Sequence, residues 1–309
     1  MQIKNVKFSV QTIMFVLLMY GGVVGLSLTP ILLPVFVDHN LKNRTVTCAF
    51  GTLQHNLTLA WELEYIIPFG TISAFLLIPL IIGRFLCGWA CPLGFVQDVL
   101  TRIRRGLKIK NREFSRKNHE ALSDVKYGFC LFLIFTAISI GVVTIIDFDA
   151  GVLYKQHFPL TMSLEPNCPI CPAPALFFLM PDIITMLLGI GPYTNFYPSI
   201  PALMMVSFFL ATSFLVIRFW CRYICPASPL FSWCNKYSLV YVEKDANRCT
   251  RCGVCVRCCP SKSRKPLEEV EEQRATGTDC ILCFCCVEKC PENALKAKIG
   301  KFTLLSGKH

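Results

Sequence analysis

Eight cysteines near the C-terminus fall in two runs of identical spacing. Cys249, Cys252, Cys255 and Cys259 read C-x2-C-x2-C-x3-C and are followed by Pro260. Cys280, Cys283, Cys286 and Cys290 repeat that spacing and are followed by Pro291. Three cysteines this close wrap a tight loop around one small inorganic core, with backbone amides turned toward the sulfurs. The fourth lies too far round the turn and reaches the neighbouring core instead. The spacing therefore predicts two interleaved [4Fe–4S] cubanes. One takes Cys249, Cys252, Cys255 and Cys290; the other takes Cys280, Cys283, Cys286 and Cys259. Cys258 and Cys285 each adjoin a ligand and are left over, as small buried side chains or as substitute ligands.

The chain has nineteen cysteines in 309 residues. They lie in clusters, several ahead of proline, which is unlike a disulfide framework and requires reduced thiols. The formal charge of +11 falls to about +7 once two cubanes of about −2 each are counted. No interleaving of aromatic and basic residues points to nucleic acid. Nucleotide-binding glycine motifs, nucleophile elbows and zinc-protease motifs are absent from the sequence.

Ahead of residue 241 the character changes. Hydrophobic residues make up 53% of the chain and the mean hydropathy is +0.50, as in membrane proteins. Four apolar runs are long enough to span a bilayer: between Lys7 and Asp38, Tyr65 to Gly83, Tyr127 to Ile146, and Pro201 to Phe219. The first reads as a retained anchor, since no small-residue cleavage site follows a short apolar core. Ala175 to Ile190 contains Pro181 and Asp182 and reads as an interfacial or re-entrant helix. The linker from Arg84 to Lys126 is rich in Lys and Arg, and the outer loops, Asp38 to Glu64 and Asp147 to Ser199, carry only Lys42, Arg44 and Lys155. The positive-inside rule then places linker, N-terminus and C-terminal tail in the cytoplasm. The fold expected is an α-helical membrane domain of about four transmembrane helices (residues 1–240) plus a small α+β domain for two [4Fe–4S] clusters (residues 241–309).

The membrane part contains a repeat. Arg84-Phe85-Leu86-Cys87 through Cys91-Pro92 matches Arg218-Phe219-Trp220-Cys221 through Cys225-Pro226, both reading R-F-x-C-x-x-x-C-P. Cysteines four apart share one face of a helix, and the proline then ends or redirects it. Two such helices packed together bring Cys87, Cys91, Cys221 and Cys225 to one place. That suits a further Fe–S cluster or another redox centre; redox-active thiol pairs and packing residues are the alternatives. Cys168 and Cys171, in a C-P-I-C-P run of the second outer loop, suit either a disulfide or a redox pair. Cys48 is a possible third outer thiol, Cys130 reads as packing, and Cys234 has no motif. His39, His55 and His157 face outward as solvated loop residues or as haem or quinone partners. No C-x-x-C-H haem motif is present. Asp38, Glu62, Glu64, Asp147 and Asp149 at the outer helix ends read as end charges or as acceptors of quinol protons.

With the paired membrane motif followed by two cubane motifs, the chain resembles the NapH-type polyferredoxin family, with the membrane halves of NosR and CcoG types as relatives, over roughly Tyr65 to Ala294. The resemblance implies four transmembrane helices in the inner (cytoplasmic) membrane, a cytoplasmic ferredoxin domain, and electron transfer between the quinone pool and a redox partner. Carried over by motif, it implies redox roles for Cys87, Cys91, Cys221 and Cys225 beside the eight tail cysteines. The Cys168–Pro172 run departs from the family pattern. The leading expectation is a membrane-bound iron–sulfur electron-transfer subunit of a quinol dehydrogenase or oxidoreductase complex. Its partners are membrane lipid and a ferredoxin, cytochrome or reductase subunit. The alternatives are a thiol or quinone oxidoreductase that delivers electrons to Cys168/Cys171 or an outer partner, and a maturation factor for a redox enzyme.

Overall fold

The computed structural model describes residues 3–20, 38–40, 45–47, 73, 76–112, 114–146, 172, 176, 186, 189, 200–269 and 271–307. The chain forms two compact units. One comprises Met1–Phe15, Leu76–Asn111 and Ile217–His309; the other comprises Val16–Phe75 and Arg112–Val216. Hydropathy divides the chain at residue 240, whereas compactness groups both R-F-x-C-x-x-x-C-P segments with the cysteine-rich tail.

The first unit is built on a three-stranded antiparallel sheet of β3 (Val240–Lys244), β4 (Leu295–Ile299) and β5 (Phe302–Ser306), in that order. The β3–β4 register runs from Val240 opposite Ile299 to Lys244 opposite Leu295. Alternation along β3 turns Val240 and Val242 inward, and β4 contributes Leu295 and Ala297. These four pack with Leu282, Phe284, Val287 and Trp89 in one core. Lys244 also points inward. It is accommodated because its ammonium caps α8 (Lys265–Glu268), donating to the Pro266 and Glu269 carbonyls at 3.0 and 2.9 Å.

The R-F motifs sit on short helices of this unit. The first lies on α2 (Phe85–Trp89) and α3 (Pro92–Gly106), the second on α6 (Phe219–Tyr223) and α7 (Ala227–Tyr237). This corrects the expectation that each cysteine pair shares one helix. Cys87 is on α2, but the helix stops at Trp89 and Cys91 is extended, at φ −63° and ψ 122°. The residue ahead of a proline is pushed out of the helical region, so Pro92 opens α3 as its first residue instead of ending α2. Cys225 likewise lies between α6 and α7. The initial turns of α1 (Ile3–Tyr20) belong to the same unit, and Ile3, Val6 and Val10 pack against its core.

The second unit contains α4 (Arg116–Ile146), α5 (Ile200–Leu215) and the hairpin β1 (Asp38–Asn40) with β2 (Thr45–Thr47). Along α4, Cys130, Leu133 and Ala137 are buried, while Leu131, Phe132 and Phe135 are exposed. Among the described residues one stretch, Lys117–Ser139 in α4, is long and apolar enough to cross a membrane. The α4 helix starts eleven residues ahead of the span expected at Tyr127. The α5 helix is apolar but shorter. Most of Tyr65–Gly83, of the first apolar run and of Ala175–Ile190 lies outside the described residues.

Candidate metal centres

The two cysteine loops of the tail share an unusual backbone. Arg251 and Gly253 flank Cys252 with φ of 55° and 71°; Leu282 and Phe284 flank Cys283 with φ of 50° and 55°. Lys262 and Asn293, each three residues beyond the fourth cysteine of its run, also match, at 57° and 50°. Glycine normally supplies such left-handed positions, yet five of these six residues carry side chains. Successive turns of this kind direct backbone N–H groups into a concavity suited to anions.

Cys249, Cys252, Cys255 and Cys290 line one small cavity with Lys244, Pro266 and Leu295. The last of these cysteines comes from the other run, as interleaving requires. The Cys280 and Cys286 thiols are both pushed up, first by burial and then by neighbouring thiols. For Cys280 the neighbours are Cys259 and Cys283; for Cys286 they are Cys283, Cys280 and Cys259. Thus Cys259 lies near the second run. Cys258 and Cys285 do not line the cavity of the first set; their thiols hydrogen-bond one another, which lowers Cys285 and raises Cys258.

Cys87, Cys91, Cys221 and Cys225 form a third convergence. Burial pushes the Cys91 thiol up to about 12, with Cys221 and Cys87 adding to it. Burial also raises Cys225 well above its ordinary value, with Cys221, Cys87 and Cys91 contributing. The arginine that opens each motif braces the other copy. Arg218, fully buried, donates to the Cys87 carbonyl at 2.9 Å. Arg84, 2% exposed, donates to the Cys221 carbonyl at 3.4 Å. Arg84 also donates to Ser228 and Ser232 at 2.8 and 3.1 Å and to the Thr278 carbonyl at 3.0 Å. Arg218 is paired with both oxygens of Asp98 at 2.9 and 2.7 Å. Asp98 in turn accepts from Lys7 at 2.8 Å and Gln11 at 3.0 Å. Gln97 donates to the Cys221 sulfur at 3.0 Å.

This third set abuts the second run of the tail. Trp89 Nε1 donates to the Leu282 carbonyl at 2.9 Å, and its ring packs in a three-ring cluster with Phe85 and Phe284. Asn235 donates to the Gly277 and Cys280 carbonyls at 2.7 and 3.0 Å. No motif marks Gln11, Gln97, Asp98 or Asn235 in the sequence; each acts through a partner distant along the chain.

The donor sets fit polynuclear cores. Among the described residues no three His, Cys, Asp or Glu side chains are close enough to hold a single metal ion. Cubanes, by contrast, place iron and sulfide between their thiolates and need wider sulfur sets. Thiols raised by burial and by one another ionise only when a cationic core arrives, so loading releases protons. Cys168, Cys171, Cys48, His55, His157, Glu62, Glu64, Asp147 and Asp149 lie outside the described residues, as do the side chains of His39 and Asp38. Cys130 and Cys234 are buried singly at 2% and 3% exposure.

Comparison with known proteins agrees with this chemistry. A profile described as a 4Fe-4S binding domain matches residues 65–110 and 199–238, the two R-F-x-C-x-x-x-C-P segments. One described as a 4Fe-4S dicluster domain matches residues 241–291. An uncharacterised protein of Methanocaldococcus jannaschii is 27% identical over 70% of this chain and 72% of its own length. The putative electron transport protein YccM of Escherichia coli is 24% identical over 71% of this chain and 52% of its own length. The ferredoxin-type protein NapH of Escherichia coli is 24% identical over 68% of this chain and 60% of its own length. The chain is thus similar to NapH-type ferredoxin proteins. It is accordingly an iron–sulfur electron-transport protein. No solved structure matches this polyferredoxin at a significant level. The chain spans about half to two thirds of YccM and NapH, so their full activities are not transferred to it.

Proposed function

We propose that this polyferredoxin is a membrane-bound electron-transfer subunit with three cubane sites in one compact unit. Cys249, Cys252, Cys255 and Cys290 hold the first, Cys280, Cys283, Cys286 and Cys259 the second, and Cys87, Cys91, Cys221 and Cys225 a third. Each core supplies one-electron redox chemistry when bound. The observation that carries the reading is the reciprocal bracing of the two R-F motifs, which aligns four thiols from sites far apart in sequence. Trp89, Arg84 and Asn235 link that set to the loop of the second run, so the protein supplies a rigid route between neighbouring sites.

The membrane assignment is supported by α4 and α5. Both expose large apolar side chains: Phe135 is 71% exposed and Met204 69%. A bilayer covers such surfaces. On this reading residues 1–240 anchor the chain, residues 241–309 face the cytoplasm, and electrons pass between the quinone pool or a membrane redox partner and a protein partner. Anaerobic purification with iron and sulfide analysis and EPR tests the proposal. Three sites require about twelve irons per chain and two require about eight. A folded, iron-poor preparation that still transfers electrons would overturn it.

A further inference from the structure

A cavity of about 260 Å³ in the first unit lies apart from the space enclosed by the first cysteine set. Six cations line it: Lys4, Lys7, Arg102, Arg105, Arg257 and Lys289. Asp98 is the one carboxylate on its wall, and that group is already held by Arg218, Lys7 and Gln11. Among the described residues Lys4, Arg105, Arg257 and Lys289 have no ion pair. Glu288, beside the rim, accepts from the Ile3 backbone amide at 3.0 Å. Cys283 also reaches the wall, so part of the positive charge faces whatever core that cysteine holds. Counting Asp98 as one negative charge and a cubane on four thiolates as about two more, the six cations keep a surplus of about three. The Lys4 ammonium is lowered by partial burial and then by the charges of Arg105, Arg102 and Lys289, as expected where cations crowd without an anion.

We propose that this cavity binds a phosphate-bearing anion. Three guanidiniums offer forked donors that match phosphate oxygens in pairs, and the lysines add point charges at the rim. One wall is apolar: Phe8, with Arg102 stacked 3.5 Å above its ring, and Ile217. A soluble phosphate and a phospholipid headgroup share the chemistry this site recognises. The lipid source draws on the position of Lys4 and Lys7 at the start of the first apolar run and on the basic segment that follows α2. The site does not depend on how many cubanes the chain carries.

The test uses the full-length, iron-loaded protein in a zwitterionic detergent, titrated calorimetrically with inorganic phosphate and, separately, with short-chain phosphatidylglycerol. Saturable binding of either probe at one site per chain is expected. Phosphate binding identifies a soluble source, and binding of the lipid alone identifies a headgroup. Lys4→Ala/Arg105→Ala, which changes no residue of either cysteine run, should weaken binding at least about tenfold with iron content unchanged, and Arg257→Ala/Lys289→Ala should do the same. The exposed Lys301→Ala serves as control and should bind as the parent does. Absence of saturation with both probes would overturn the proposal. So would unchanged affinity in both double variants.

Discussion

Replacing Arg218 by methionine should loosen the joint between the two motif copies. The guanidinium bonds both Asp98 oxygens and the Cys87 carbonyl at 2.7–2.9 Å. At such a separation the attraction to Asp98 is about 6 kcal/mol for an effective dielectric of about 20. Desolvation of both charges offsets much of that, and losing one partner of a buried pair costs about 3–5 kcal/mol. Asp98 keeps Lys7 and Gln11 after the change, which puts Arg218→Met near the lower end, at about 3 kcal/mol. That is roughly a hundredfold in the folded-to-unfolded ratio. Asp98→Asn leaves a fully buried guanidinium without its counter-charge and should cost more, toward about 5 kcal/mol. The double variant should lose less than the sum of the two, because each single change strands a charge. Thermal scans of the iron-loaded protein at one fixed rate rank the variants, since unfolding with loss of metal is irreversible. Burial alone would raise the Asp98 carboxyl, but Arg218 and Lys7 outweigh it and hold it well below the usual carboxylate range. Its contribution is therefore complete above the unfolded value of about 3.9 and is lost only as pH falls through the lower folded value. The Asp98→Asn penalty should be the same at neutral pH and in mild acid. An unshifted midpoint for Arg218→Met, or strictly additive losses, would refute the brace.

Three further changes probe the same unit. Arg84→Lys keeps the charge but offers three donors where the guanidinium uses four contacts; EPR signals of both the R-F set and the Cys280 set should change, and a change confined to one would disconnect them. Gln97→Leu removes the N–H donor to the Cys221 sulfur, a loss of about 1 kcal/mol or about 40 mV for one electron. The potential of that centre should fall in an EPR-monitored redox titration, and an unmoved potential would remove Gln97 from its electrostatics. A methyl at Gly88 would collide with the Ile281 carbonyl, a backbone atom beside a ligand loop. Gly88→Ala should cost about 1–3 kcal/mol and lower iron content, whereas full iron occupancy and a parental midpoint would argue that the loop gives way.

Much of the site was legible because cysteine spacing is a local constraint. Loop length suggests which sulfurs of the tail can meet, and Cys249, Cys252, Cys255 and Cys290 are among the residues that line one small cavity. The repeated left-handed loop was less legible: only Gly253 signals it, while Arg251, Leu282 and Phe284 adopt it against their own preference. Cys87 and Cys91 do not share a helix because the effect of Pro92 on the residue before it outweighs their four-residue periodicity. Asp98, Gln11 and Asn235 left no trace in the sequence, since a buried polar side chain reads like a surface one until its distant partner is known. Hydropathy located apolar stretches that coincide with parts of α1, α4 and α5, but it carries no information on which faces of those helices are buried.

The arginines explain why the motif is repeated and not merely present twice. Each guanidinium satisfies the backbone carbonyl of a cysteine in the other copy, across 137 residues for Arg84 and 131 for Arg218. Each half therefore sets its first cysteine with help from its counterpart, through the two arginines. The intervening segment faces no such demand. Closing a longer loop costs only about 0.6 kcal/mol per doubling of its length, far less than a buried guanidinium with its acceptors missing. The energy of the joint resides in a few buried donors and acceptors, and the chain that connects them needs only to reach.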